Sequence, residues 1–310
     1  MSKVVSEVLI NMGKSISEAL REAASFLQQR GIDRARVEAE LLLAFLLRVE
    51  RPHLYAHAEA ELSPELFKPF AELCRRRGAG EPLAYIRGEK EFMSLLFYVE
   101  AGVFIPRPET EHLVEAVLQW AYAYENGKEG EGLNILDLGT GSGCIAVSLA
   151  FNLPRAHFVA VDKDVKPLET AGRNSRRHKV ESRISILQGH FYEALSTLEG
   201  SNKHFNIIVS NPPYIEEGML PGLPPEVKQE PYQALSGGTD GLDAYREIIT
   251  GASDFLLSPG LLALELGAGQ AAEVINIAYR NGFTSTKVFP DYAGIERVLL
   301  LSTPDLCRWR

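Results

Sequence analysis

Cysteine is scarce: Cys74, Cys144 and Cys307 are the only three in 310 residues, and no two form a C-x-x-C pair. That spacing argues against a disulfide framework and a cysteine-built zinc site, and it fits a reducing, cytoplasmic setting. An excess of positive charge is also missing. Lys and Arg number 32 against 41 Asp and Glu, a formal net charge of −9, which argues against a chain that lives on nucleic acid. No apolar run is long enough to span a membrane. The short run over residues 4–10 is interrupted by Ser6 and Glu7, so no signal peptide is expected. His112, His157, His178 and His204 show no ligand spacing, and no metal site is expected. Internal repeats and low-complexity segments are absent as well. What is present is 45% hydrophobic residues, ample for sizeable cores and about two domains.

The first ~80 residues read as helical. Residues 15–29 carry Ile16, Ala19, Leu20, Ala23, Ala24 and Leu27 at helical spacing, with Gly31 as a stop. Asp33 is placed to cap a second helix through Val37, Leu41, Leu42, Phe45 and Leu46. Ser63-Pro64-Glu65 starts a further helix that runs to Arg75-Arg76-Arg77 and ends at Gly78. Basic residues in a last helical turn complement the dipole; the other reading is contact with an acidic or RNA-bound partner. A small helical bundle is the simplest architecture for residues 1–87.

Between Glu81 and Pro106 the pattern changes. Phe92-Met93, residues 95–99 and Val103-Phe104-Ile105 are β-type runs, so residues 88–106 are expected to form a hairpin linker. Pro106-Arg107-Pro108-Glu109-Thr110-Glu111 then leads into an amphipathic helix over about 111–124, and a polar, glycine-rich loop at 126–132 marks a boundary. From Leu133 strands and helices alternate. Strands are expected near 134–138, 157–161, 183–188, 206–210 and 260–266. Such alternation implies a parallel sheet covered on both faces. Strands at 284–289 and 296–301 are too close for a parallel crossover and should pair antiparallel. The cluster Arg173, Arg176, Arg177, His178 and Lys179 reads either as a solvated helix end or as a local basic patch.

Two loops carry the chemistry. The strand ending at Leu138 runs into Gly139-Thr140-Gly141-Ser142-Gly143, and a helix follows from Cys144. Alternate glycines let the backbone turn tightly and approach a ligand, and the helix start offers free N–H groups. Asp162 ends the next strand, 19 residues past Gly143, where a carboxylate can accept from ribose hydroxyls. Gly141-x-Gly143-x-x-Ala146 also satisfies the dinucleotide fingerprint. A nicotinamide dehydrogenase and an S-adenosylmethionine (AdoMet) enzyme are thus both open at this point. Asp137, two residues before the first glycine, is placed to face a cationic ligand, which favours AdoMet.

The second loop is Asn211-Pro212-Pro213-Tyr214, directly after the run 205–210. Paired prolines stop a strand, and Pro212 holds Asn211 extended. The Asn211 amide and the Pro212 carbonyl form a pair of acceptors suited to a planar –NH2 group, with the Tyr214 ring over it.

Asp137-Leu-Gly-Thr-Gly-Ser-Gly143, Asp162 and Asn211-Pro-Pro-Tyr214, in this order, resemble class I AdoMet methyltransferases that act on planar amino groups. Residues 105–111 narrow the resemblance to the HemK family, the release-factor glutamine N5-methyltransferases. Glu81-Pro82-Leu83, Glu91-Phe92-Met93, Gly237-Gly238-x-x-Gly241-Leu242 and Asp291-x-x-Gly294-x-x-Arg297 add to it. The resemblance covers residues 80–310 well, while the helical N-terminus matches only in general character. It implies a Rossmann-like domain over 107–310, a mostly parallel seven-stranded sheet with an antiparallel C-terminal strand, behind a helical substrate-recognition domain.

The substrate so implied is the glutamine of the Gly-Gly-Gln loop of peptide chain release factors, with S-adenosylhomocysteine as product. By motif, Gly139, Thr140, Gly141, Ser142 and Gly143 hold the methionine part of AdoMet and Asp162 the ribose, while Asn211 and Pro212 accept from the glutamine amide. The acidic-aromatic pair beside adenine aligns with His190-Phe191; Phe191 can stack, and His190 departs from the usual carboxylate. A monomer without stable nucleic-acid or membrane partners is expected. Rival readings are a ribosomal-protein glutamine methyltransferase, a DNA or RNA adenine-N6 methyltransferase, a non-catalytic AdoMet binder and the dehydrogenase.

Overall fold

A computed structural model describes residues 13–124, 132–198 and 203–302. The apolar run 4–10, Cys307 and all but the last residue of the glycine-rich loop at 126–132 lie outside the described residues. The chain divides into two compact units, Met1–Gly88 with Pro224–Gln229, and Glu89–Leu223 with Glu230–Arg310.

The first unit is helical: α1 (Ile16–Gln28), α2 (Ala35–Leu47), α3 (Arg51–Ala56), α4 (Pro64–Gly78) and α5 (Leu83–Arg87), with a two-residue pairing of β1 (Lys14–Ser15) and β2 (Glu61–Leu62). Ser15 opens α1 with a reciprocal cap: its Oγ accepts from Glu18 N at 3.2 Å, and Glu18 Oε2 accepts from Ser15 N at 2.9 Å. Asp33 does not cap α2; Arg34 occupies that position without a side-chain bond. The apolar positions of α1, α2 and α4 meet in one core that includes Leu20, Leu27, Leu42, Leu43 and Phe70. The arginine triplet ending α4 is paired within the unit. Arg75 binds Glu72 at 2.6 Å, Arg76 binds Glu81 at 2.5 Å, and the buried Arg77 binds Glu38 and Glu226. Local carboxylates explain these arginines without an external partner.

The second unit begins with the hairpin β3 (Glu89–Phe92) and β4 (Leu95–Tyr98). Val103–Ile105 is not a strand, contrary to the β-type pattern. Its Ile105 amide donates to the carboxylate of Glu230 at 3.0 Å instead of to a ladder partner. Helix α6 (Glu109–Tyr124) precedes the main sheet. Its strands are β5 (Asn134–Leu138), β6 (His157–Asp162), β7 (Ile184–Gln188), β8 (Phe205–Ser210), β9 (Leu256–Glu265), β10 (Ser285–Pro290) and β11 (Glu296–Ser302). Between them run α7 (Cys144–Asn152), α8 (Val165–Arg177), α9 (Tyr232–Leu235), α10 (Asp243–Phe255) and α11 (Ala271–Arg280). The seven strands lie in the order β10-β11-β9-β8-β5-β6-β7, with β11 antiparallel to both neighbours and the other pairs parallel.

Burial on both faces explains the near-continuous apolar strands. In β5, Ile135 joins one core layer while Leu136 and Leu138 join the opposite one. The chain leaves β5 toward β6 and β7 on one side and returns through β8 and β9 on the other. This order reversal puts a crevice at the carboxyl ends of β5 and β8, where open α/β sheets bind ligands. No described helix is long and apolar enough to cross a membrane.

Candidate active site

The glycine loop closes over the end of β5. The amides of Gly139 and Thr140 both donate to the Val161 carbonyl at 2.9 Å, so the loop is bonded to β6 as soon as it leaves β5. Gly141 and Gly143 both adopt left-handed φ, 57° and 78°, but for different reasons. A Cβ on Gly143 would lie 2.9 Å from the Ala171 Cβ, so this glycine lets α7 and α8 pack. A Cβ on Gly141 would meet nothing within 4 Å and point into open space. That space is the size-free side of the loop, and it is where a ligand can approach the backbone.

Asp137 is bonded to the loop and to the helix that follows it. It is 0% exposed, and its Oδ2 accepts from Thr140 Oγ1 at 2.6 Å and from Ala146 N at 3.2 Å. It ties the loop to the first turn of α7. Its Oδ1 has no partner among the described residues. Burial pushes the carboxyl up to about 7 despite the bonds from Thr140 and Ala146. Asp162, at the end of β6, accepts from Gly141 N at 2.9 Å through Oδ2 and from Asp164 N at 3.1 Å through Oδ1. Burial is the largest influence on it and raises its pKa. The loop's Ser142 carbonyl takes the Asn174 amide at 2.8 Å.

The second loop leaves β8 one strand away. Ser210 Oγ donates to the Leu138 carbonyl at 2.7 Å, which ties the two loop origins together. Asn211 Nδ2 donates to Thr110 Oγ1 at 3.1 Å, and Thr110 is 1% exposed in the first turn of α6. With its –NH2 so engaged, the Asn211 side chain has Oδ1 left to accept from a ligand. Pro212 and Pro213 follow. The half-buried Tyr214 packs against the apolar layer and donates its hydroxyl to Glu265 Oε1 at 3.4 Å. Its carbonyl accepts from Gln270 Nε2 at 3.0 Å. The strap 235–238 backs this loop: Ile215 N bonds the Leu235 carbonyl and Gly237 N the Ile215 carbonyl, each at 2.9 Å.

Around the loops, the Pro-flanked segment is held from several sides. Arg107 pairs with the buried Glu230, whose other oxygen takes the Ile105 amide, and the Arg107 guanidinium lies 4.8 Å from the Phe104 ring. Glu111 accepts from Met93 N at 2.8 Å and so anchors the hairpin. Glu109 lies near enough to Glu265 to raise its pKa. His190 and Phe191 begin a 3-10 turn after β7. The His190 ring is turned to Glu247 at 2.6 Å, while Phe191 is half-buried against the same layer as Tyr214. Thr110, Glu230 and Glu265 escaped the sequence reading. Thr110 and Glu265 had a signal, one lying inside the Pro-flanked segment and the other ending an otherwise apolar strand.

Comparison with known proteins fits this architecture. A PrmC N-terminal domain model matches residues 18–88, and a methyltransferase small domain model matches residues 124–220. The chain is 44% identical to a release factor glutamine methyltransferase of Moorella thermoacetica, over 92% of this chain and 98% of that protein. A protein of the same description from Geobacter sulfurreducens is 40% identical over 92% of this chain and 95% of its own. Among solved structures, the T. thermophilus 16S rRNA N2 G1207 methyltransferase in complex with AdoMet and guanosine superposes with TM-score 0.50 at 19% identity, over 69% of this chain and 49% of that one. At that identity the likeness concerns the fold. With near full-length relatives at 40% identity and above, the chain belongs to the release factor glutamine methyltransferase family.

Proposed function

We propose that this enzyme transfers the methyl group of AdoMet to the side-chain amide nitrogen of the glutamine in the Gly-Gly-Gln loop of peptide chain release factors. The observation that carries the reading is Asn211, whose Nδ2 is engaged by Thr110 at 3.1 Å beside a glycine loop one strand away. The loop suits the methyl donor: Gly141 opens on empty space, and Asp162 stands at the neighbouring strand end. Gly139 to Gly143 would hold the methionine part, Asp162 the ribose and Phe191 the adenine. When bound, AdoMet supplies an electrophilic sulfonium methyl.

The chain's own residues do the positioning. A glutamine amide nitrogen is a weak nucleophile because its lone pair is delocalised into the carbonyl. Asn211 Oδ1 and the Pro212 carbonyl accept its two protons, which fixes the plane of the amide and aims the nitrogen at the methyl. Orientation of this kind can lower a barrier by up to ~7–11 kcal/mol. Both acceptors also stabilise the positive charge that gathers on nitrogen as the new bond forms. The surplus proton leaves late, to Asn211, to backbone or to water, so no dedicated base is required. Tyr214 supports the loop through its hydroxyl and carbonyl bonds. The helical residues 1–87 are assigned to recognition of the release factor, residues 88–106 to the connection and residues 107–310 to methyl transfer. The enzyme acts as a monomer in the cytoplasm.

The test is to incubate the protein with methyl-labelled AdoMet and, separately, unmethylated release factors, ribosomal proteins and DNA. Label is expected on the release-factor glutamine, and label found only on DNA overturns the reading. Asn211→Ala should retain AdoMet binding and lose at least ~10²-fold in turnover, as for loss of one preorganised hydrogen-bond partner.

A further inference from the structure

The turn between β10 and β11 is braced from within and from the sheet. Asp291 N donates to the Ile295 carbonyl at 2.8 Å, and Gly294 N donates to the Asp291 carbonyl at 2.9 Å. The Asp291 carboxylate accepts from Ala293 N at 2.8 Å, from Ile295 N at 3.0 Å and from Arg297 Nε at 3.1 Å. Arg297 is tied in turn to the chain just past β9, where its carbonyl accepts from Leu266 N at 2.7 Å. From this framework Tyr292 projects with 94% of its surface exposed, more than any other large apolar side chain among the described residues. Its ring meets the His112 ring in a T-shaped contact, with centroids 4.6 Å apart. A scattered exposed aromatic is ordinary. One held this firmly, beside a site, is a ready-made anchor.

Both halves of the aromatic pair stand next to the acceptor loop. His112 follows closely on Thr110, the partner of Asn211, in the first turns of α6. Strand β11 runs antiparallel to β9, with Val298 opposite Glu265. The turn therefore sits at the carboxyl edge of the sheet, from which Asn211 leaves β8. Along that edge the strands follow in the order β11, β9, β8, β5, β6. Asn211 thus stands between the cofactor loop with Asp162 on one side and the Tyr292 turn on the other. Two strand steps separate β8 from β11, which is ~10 Å. An extended peptide advances ~3.3–3.6 Å per residue, so that span is about three residues of chain.

Resting on the assignment of Asn211 as the glutamine acceptor, we propose that Tyr292 is a substrate-binding residue whose ring receives the release-factor loop about three residues from the methylated glutamine. The fit is chemical as well as positional. Glycine-containing backbone carries no side chain to keep its peptide planes off an aromatic face. A Tyr has only two χ angles, and on a braced turn it loses little further freedom when the loop settles on it. Its position on the far side of Asn211 from Asp162 separates this contact from the binding of AdoMet.

The test is steady-state methyl transfer to unmethylated release factor by the full-length enzyme, with AdoMet binding and Tm measured alongside. Tyr292→Ala should raise KM for the release factor at least ~10-fold, as for removal of one aromatic anchor. It should leave kcat, the Kd for AdoMet and Tm as in the parent protein. Tyr292→Phe, which keeps the ring, should keep the parent KM. A parent-like KM in Tyr292→Ala overturns the inference, and so does a weakened Kd for AdoMet, which would give the ring to the cofactor. Placement is read by putting p-benzoylphenylalanine at position 292 and photo-cross-linking to the release factor. The adduct should map within about four residues of the glutamine; an adduct elsewhere, or none, refutes the placement. If the parent protein methylates no release factor, the glutamine assignment itself fails, and this inference with it.

Discussion

Two glycines two residues apart, in the same loop and with the same left-handed backbone, should fail in opposite ways when given a methyl group. An Ala held at φ near +60° loses about 1–2 kcal/mol relative to Gly. Both Gly141→Ala and Gly143→Ala carry that strain, since their φ values are 57° and 78°. For a unit of this size each kcal/mol lowers Tm by about 2–4 °C. Gly143→Ala adds overpacking, because its Cβ would stand 2.9 Å from the Ala171 Cβ and 3.1 Å from the Ala171 Cα. That contributes a further ~1–3 kcal/mol, so the apoprotein Tm should drop about twice as far. Gly141→Ala meets no protein atom within 4 Å, and its new methyl projects into the space assigned to AdoMet. It should fold nearly normally and bind AdoMet at least ~10-fold more weakly, about 1.4 kcal/mol. Differential scanning calorimetry with and without AdoMet separates the two. At a ligand concentration of ~100 Kd the parent protein should gain about 2.7 kcal/mol, Gly143→Ala most of that gain, and Gly141→Ala visibly less. If Gly141→Ala shows the full gain, the open side of the loop is not the cofactor cradle.

Acidity should act on stability through Asp137 and Glu265. Each keeps its proton up to about 7 in the fold, above ordinary values of 3.8 and 4.5, so between those limits the native state binds more protons than the unfolded chain. The stability this contributes is complete below about pH 4 and is lost as pH rises through 7. The Tm of the apoprotein should therefore fall between pH 5 and pH 8, and Asp137→Asn should flatten that fall; an unchanged slope refutes it. Glu230→Ala removes the partner of both Arg107 and the Ile105 amide. With Arg107 partly exposed, a loss on the order of 2–4 kcal/mol in denaturant unfolding is expected, with faster proteolysis near 103–108. An unmoved midpoint would show that this ion pair does not hold the segment.

The parts of the fold that were legible in the sequence are those whose signal is local. Strands β5, β6 and β8 are apolar runs buried on both faces and bounded by loop residues, and their limits fall within a residue or so of the expected ones. The closing pair β10 and β11 was legible from a connection too short for a crossover. Strand β9 begins at Leu256, earlier than expected, because pairing with β8 starts already at Phe205 and Leu256. Val103–Ile105 has β composition, and its amide partner is a carboxylate 125 residues away. Spacing located Asp137 but not its bonds to Thr140 and Ala146, which depend on how the loop turns into α7. The Asn211–Thr110 hydrogen bond joins segments 101 residues apart, and no window along the chain contains it.

The two loops of the site leave from residues that are partners in a parallel ladder, Leu138 and Ser210. Paired strands lie about 4.8 Å apart, so the separation between whatever the glycine loop holds and whatever Asn211 holds is inherited from the sheet. A fold in which domain closure brings donor to acceptor can misfire when closure is partial. Here the sheet serves as a ruler: under the proposed roles of the two loops, a glutamine seated on Asn211 would have its distance from the methyl donor set by the ladder rather than by a closing motion. Control over the reaction is then control over entry.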